Sequence, residues 1–190
     1  MIKKVCPFCR TPPYTSNEEL MKSVMKRVEA NDAYAVRNLG CYYDKGTNGY
    51  PQDHKKAFEL FRRAAELGHA GAYTNIGYAH NNGEGVEVDK EKANHYYELA
   101  AMRGDSMARH NLGVMEGFAG NIDRALKHLT IAVQSGYAKS VERIKLMYSN
   151  GHATKEDYTS ALRLYQAYLG EIKSRQRDKA AADNEGNRYY

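Results

Sequence analysis

The chain has 190 residues, room for one or two domains, and its 42% apolar and 27% charged residues exclude a collagen-like, disulfide-dense or wholly disordered protein. Lys and Arg number 28 against 23 Asp and Glu, a net charge of +5 with the signs interspersed, so no basic arm points to a nucleic-acid partner. Mean hydropathy of -0.74 describes a thin core, as in stacks of small helices, and no run reaches the ~20 apolar residues of a membrane span.

Taken in chain order, Met1-Ile2-Lys3-Lys4 leads straight into Cys6-Pro7-Phe8-Cys9, with no apolar stretch of the secretory kind. A Cys-x-x-Cys knuckle places two thiolates on one tight turn, at a spacing suited to zinc. The same pair also reads as an ordinary surface or redox pair. A complete zinc site would otherwise need distant ligands among His54, His69, His80, His95, His110, His128 and His152, none of them closely paired. With only 3 cysteines, no disulfide framework is expected, and a reducing, intracellular and cytoplasmic setting follows.

Ser16-Asn17-Glu18-Glu19 reads as a capping box, and Leu20, Val24 and Val28 form one apolar stripe behind it. Residues 16–31 are therefore read as a capping helix. Beyond it the chain repeats. Leu39-Gly40 returns as Ile76-Gly77 and Leu112-Gly113, at spacings of 37 and 36 residues, with a degraded copy at Ile144-Lys145. Lys56-Ala57 returns as Lys92-Ala93, Arg124-Ala125 and Ser160-Ala161.

Each unit reads as two helices. Asp53, Asp89 and Asn121 stand where an N-cap oxygen accepts a free backbone N–H. Gly68, Gly104 and Gly136 stand where a left-handed C-cap is wanted. Units are drawn at 33–68, 69–104, 105–136 and 137–170 within an array spanning 32–170. The helix link carries Gly83-Glu84-Gly85-Val86 in the second unit and shortens to Gly117-Phe118-Ala119-Gly120 in the third. After Gly170 few apolar anchors remain, so the last helix is expected to fray into a mobile polar tail over 171–190.

Asn75-Ile76-Gly77-Tyr78, Gly83-Glu84-Gly85-Val86, Asp89, Lys92-Ala93, Tyr97, Ala100-Ala101 and Gly104 together resemble the Sel-1-like repeat, a relative of the tetratricopeptide repeat. The resemblance implies an all-α fold, a right-handed α-α superhelix (solenoid) of antiparallel helix pairs with a concave face. It also implies a protein–protein adaptor. In the related tetratricopeptide fold the groove is lined by first-helix positions two before and two after the apolar residue of the apolar-Gly pair. Here those are Arg37 and Cys41, Thr74 and Tyr78, His110 and Val114, Glu142 and Leu146, with Asp44, Asn81 and Ser149 one turn later. The candidate partner-binding residues are thus Arg37, Asp44, Thr74, Tyr78, Asn81, His110 and Glu142. Cys41 reads as a small, half-buried helix residue.

Cys6-Pro7-Phe8-Cys9-Arg10 followed by Thr11-Pro12-Pro13 also resembles the closing ligand pair of a RING-type zinc finger. That resemblance makes residues 1–15 the remnant of such a finger and Cys6 and Cys9 half of one zinc site. The other ligands would lie upstream, so zinc is expected only where the complete finger is present. A complete finger would add a ubiquitin-conjugating enzyme as partner and make the array the substrate-selecting part of a ubiquitin ligase. Nothing in the chain matches a nucleophile elbow or a phosphate loop, and the carboxylates are dispersed at caps and surfaces. A non-enzymatic interaction module is the expectation.

Overall fold

The computed structural model describes residues 17–186. Among them all regular structure is helical. The helices are α1 (Asn17–Glu29), α2 (Ala33–Lys45), α3 (His54–Glu66), α4 (Ala70–Asn82), α5 (Lys90–Met102), α6 (Ser106–Phe118), α7 (Ile122–Gln134), α8 (Ala138–Ser149) and α9 (Lys155–Gly186). The fold is all-α. No helix among the described residues is long and apolar enough to cross a membrane. Cys6, Cys9 and the Ser16 cap lie outside the described residues.

Caps set the helix ends. The Asp53 carboxylate accepts from the Lys56 N–H at 3.0 Å, and Asp89 accepts from the Lys92 N–H at 2.9 Å. Asp32 and Asp105 do the same for α2 and α6. Asn121 departs from expectation. It makes no side-chain cap bond and instead donates from Nδ2 to Glu116 Oε2 at 2.8 Å. Gly68, Gly104 and Gly136 take φ of 89°, 83° and 83°, the left-handed conformation that ends a helix without a Cβ penalty.

The chain forms two compact units dividing between Tyr96 and Tyr97. In the first, Val36, Leu39, Phe61, Ala64 and Ile76 form the core, and Leu20 and Met21 of α1 pack on it. Arg63 anchors the end of α1 by donating from Nη2 to the Val28 carbonyl at 3.1 Å and to Asn31 Oδ1 at 2.6 Å. In the second, Leu129, Val133, Ile144 and Ala161 are the core. The small residues in the apolar-Gly pairs have a steric cause. A Cβ on Gly40 would lie 2.6 Å from Phe61 Cε1, and one on Gly113 would lie 2.7 Å from Leu129 Cγ.

The last helix corrects a sequence expectation. α9 does not fray at Gly170 but runs 32 residues to Gly186. Thr154 and Asp157 start it with a reciprocal pair of bonds, Thr154 N–H to Asp157 Oδ2 at 2.8 Å and Asp157 N–H to Thr154 Oγ1 at 3.1 Å. Beyond Gly170 the segment has no proline and is rich in Glu, Lys, Arg, Gln and Ala, all strong helix formers. Helix propensity carries the chain on where tertiary anchors are few.

Candidate functional site

In the first unit, α2 and α4 carry the expected face. Arg37 is half-buried and donates from Nε to Asn75 Oδ1 at 2.9 Å, tying α2 to α4. Thr74 is not on an open face. It is 1% exposed, and its Oγ1 is buried without a hydrogen-bond partner among the described residues. Its neighbour Asn75 accepts the Arg37 hydrogen bond from α2. Cys41 is half-buried against the core, and burial pushes its thiol pKa up, which keeps it in the unreactive thiol form.

Asp44, Tyr78 and Asn81 lie further along the two helices. Tyr78 is 46% exposed. Burial, then the negative charges of Glu84 and Asp44, raise the pKa of its phenol. Asn81 is engaged by Lys90, whose Nζ donates to its Oδ1 at 2.9 Å and to its carbonyl at 2.6 Å. Asp44 Oδ1 lies 3.2 Å from His54 Nδ1. Asp44, His54 and Glu84 bring one donor atom each to within 4.8 Å of one another.

In the second unit, His110 is not free to meet a partner. Its Nδ1 is 2.9 Å from Ser140 Oγ, and its ring packs 5.1 Å from that of Tyr137. Ser140 is fully buried. Burial first, then the positive charges of Arg143 and Lys139, lower the His110 pKa to about 4. The imidazole is therefore neutral at pH 7 and serves as a hydrogen-bonding tie from α6 to α8. Glu142 is exposed, and Leu146 beside it on α8 is 49% exposed.

The residues that sequence reasoning missed are Phe118 and Arg143. Phe118 ends α6 at 79% exposure, and the Arg143 guanidinium lies 5.0 Å over its ring. Arg143 Nε is shielded from solvent and has no hydrogen-bond partner among the described residues. A cleft of about 220 Å³ opens here, lined by Phe118, Ile122, Arg143, Leu146, Asn150 and His152 among others. The one signal in the sequence was a large aromatic inside a shortened link.

A family model described as Sel1 repeat matches residues 33–69, 70–105, 106–137 and 146–167. The component HRD3B of an ERAD-associated E3 ubiquitin-protein ligase from Arabidopsis thaliana is 29% identical over 105 residues, 55% of this chain and 16% of that protein. Chitin synthase regulatory factor 4 from Schizosaccharomyces pombe is 26% identical over 128 residues, 67% of this chain and 20% of that protein. The chain thus spans a fifth or less of the length of these curated relatives. Among solved structures, a Sel1 repeat protein from Oxalobacter formigenes superposes with a TM-score of 0.67 at 26% identity, covering 80% of this chain and 64% of that one. The protective antigen c5321 of uropathogenic Escherichia coli, which has an SLR fold, gives 0.64 at 29% identity, over 80% of this chain and 33% of that one.

Proposed function

This chain belongs to the Sel1 repeat family, and on that premise we propose that it is a non-enzymatic scaffold that holds a protein or peptide partner. The observation that carries the reading is the Phe118–Arg143 cleft of the second unit. An aromatic ring at 79% exposure leaves apolar area in water that a partner would cover. Aromatic and arginine side chains dominate binding energy at protein interfaces. A partner would bury an apolar side chain against Phe118 and Leu146, which stand 79% and 49% exposed. Tyr78, with the Asp44 and Glu84 carboxylates nearby, is the corresponding open aromatic of the first unit. The names of the relatives, a regulatory factor and a ligase component, agree with work done by holding other proteins.

The test compares partner capture by the intact chain with capture by Phe118→Ala/Leu146→Ala. Ile131→Ala, on the exposed side of α7, is the control. Loss of specific partners from the double variant, with capture by the control and all melting temperatures unchanged, supports the reading. Partners retained by the double variant, and by Tyr78→Ala combined with it, overturn it.

A narrower form makes the array the substrate-selecting part of a zinc-dependent ubiquitin ligase in an intracellular, cytoplasmic setting. It rests on Cys6 and Cys9 and on the HRD3B likeness. Its test is zinc-dependent ubiquitin transfer with a conjugating enzyme by a protein that carries the upstream ligands as well, abolished by Cys6→Ser; transfer that survives Cys6→Ser overturns it.

A further inference from the structure

We propose that Asp44, His54 and Glu84 form a binding site for a divalent transition-metal cation of the zinc or manganese kind. The site lies within the first unit, where the first two repeats meet, and does not depend on partner capture. One imidazole and two carboxylates suit zinc, manganese and their neighbours. Calcium and magnesium favour all-oxygen sets, and thiolate favours the softer ions.

The geometry is close to what such an ion needs. Donors on a tetrahedral ion with bonds of ~2.1 Å stand about 3.4 Å apart. His54 Nδ1 and Asp44 Oδ1 are already 3.2 Å apart. Every pair among the three donors lies within 4.8 Å. Closing the set takes an adjustment of roughly 1 Å.

The backbone around the donors is held. Asp44 sits in the last turn of α2, His54 begins α3, and Glu84 lies in the turn after α4. Gly85, at φ 75°, packs directly on the His54 carbonyl, leaving no space for a Cβ. Gln52 Nε2 donates to the Asp44 carbonyl at 3.0 Å, and the Asp53 N–H donates to the Tyr43 carbonyl at 2.8 Å. The three donors thus come from separate segments already clamped together.

An independent observation comes from the next repeat. The position equivalent to Asp44, 37 residues on, is Asn81, and the position equivalent to His54, 36 residues on, is Lys90. There the Lys90 ammonium bonds Asn81 Oδ1 at 2.9 Å. The second repeat supplies its own cation to this place. The first repeat offers a histidine instead, and no ion pair among the described residues gives Asp44 or Glu84 a lysine or arginine. The His54 and Asp44 side chains are 36% and 22% exposed, so an ion can enter and keep a coordination position open to water.

The test is calorimetric titration of the full chain with zinc chloride and, separately, manganese chloride. Cys6→Ser/Cys9→Ser is the background, so that the Cys-x-x-Cys pair takes no part. One ion per chain is expected, with binding weakened at least ~10-fold by Asp44→Asn and by Glu84→Gln, whose shapes are conserved. His54→Ala should abolish it, and circular dichroism verifies that each variant is folded. No one-to-one binding in the background chain overturns the proposal. Undiminished binding in folded Asp44→Asn and Glu84→Gln also overturns it, because the ion would then sit on other histidines. No partner is present in this titration, so its failure leaves the scaffold reading to its own test.

Discussion

The link between α4 and α5 and the link between α6 and α7 join helices of the same kind but finish differently. The first has seven residues, 83–89, and the second has three, 119–121. The long link folds back so that Gly85 lies on the first turn of α3, and it carries Glu84 to Asp44 and His54. The short link cannot reach back. A Cβ on Gly120 would meet nothing within 4 Å, and Phe118 is left 79% exposed beside Arg143. Four residues of chain thus separate a clamped polar junction from an open cleft beside an exposed aromatic ring. Link length decides which chemistry a repeat presents.

The strongest way to break this comparison is Gly85→Ala. The new Cβ would collide with the His54 carbonyl and the Lys55 nitrogen, at a φ of 75° that L-residues avoid. A loss of about 2–4 kcal/mol is expected from clash and backbone strain together. Gly120→Ala has a φ of 81° but open space around it. Strain alone should cost it about 1 kcal/mol. Urea denaturation of both variants measures the gap. Equal losses would mean that the long link is not clamped.

Next in size is Gly113→Ala. Its Cβ would lie 2.7 Å from Leu129 Cγ and 3.0 Å from the Ala125 carbonyl, inside a fully packed core. Overpacking should destabilise by about 1–3 kcal/mol, read from the same denaturation curves. No loss would mean that α6 and α7 have slack at their crossing.

Much of this was legible in the sequence because it is local. Asp53, Asp89, Gly68, Gly104 and Gly136 act through backbone groups within four residues, so spacing alone identified them. The helix faces were legible only in part. Helical spacing places Arg37, Thr74 and His110 in one column, but only packing decides what covers each. Arg37 reaches Asn75, Thr74 is sealed, and His110 is taken by Ser140. The Asp44–His54–Glu84 cluster was out of reach because its members come from three segments. Their meeting depends on how closely Gly85 approaches α3. Phe118 and Arg143 were missed because their residue types fit a buried helix end as well as an open one. The fraying expected after Gly170 rested on the scarcity of apolar anchors there, whereas the strong helix formers that follow carry the helix on.

The two ties between first helices sharpen the comparison further. Of these ties, Arg37–Asn75 and His110–Ser140, the second makes folding depend on pH, because its imidazole is held neutral in the folded chain. The unfolded chain takes a proton on His110 near its ordinary 6.5, the folded chain only near 4. Between those values protons favour the unfolded state, so the contribution is complete above 6.5 and fades as pH falls toward 4. The ring is only half-buried, and solvent screening reduces the expected loss between pH 7 and 5 to about 1 kcal/mol. His128, whose pKa is lowered by burial and then by Arg109, adds to the slope in the same direction. His110→Asn should flatten the acid side of a stability–pH curve. An unchanged slope would assign it to other groups.

The smallest expected effect has the opposite sign. Gly117 lies inside α6, one turn after Gly113, beside the open cleft. A Cβ there would sit 3.7 Å from the Ala125 Cβ and 3.9 Å from Arg143 Nη2, both ordinary contacts. Gly117→Ala should therefore gain about 0.5 kcal/mol from helix propensity alone. That corresponds to a rise of roughly 1–2 °C in melting temperature. It would also narrow the floor of the cleft under Arg143, so partner capture should weaken while stability rises. Stability and binding moving in opposite directions would mark this end of α6 as shaped for contact rather than for packing. A loss of stability would show that Arg143 is pressed against Gly117 and that the short link is as tightly closed as the long one.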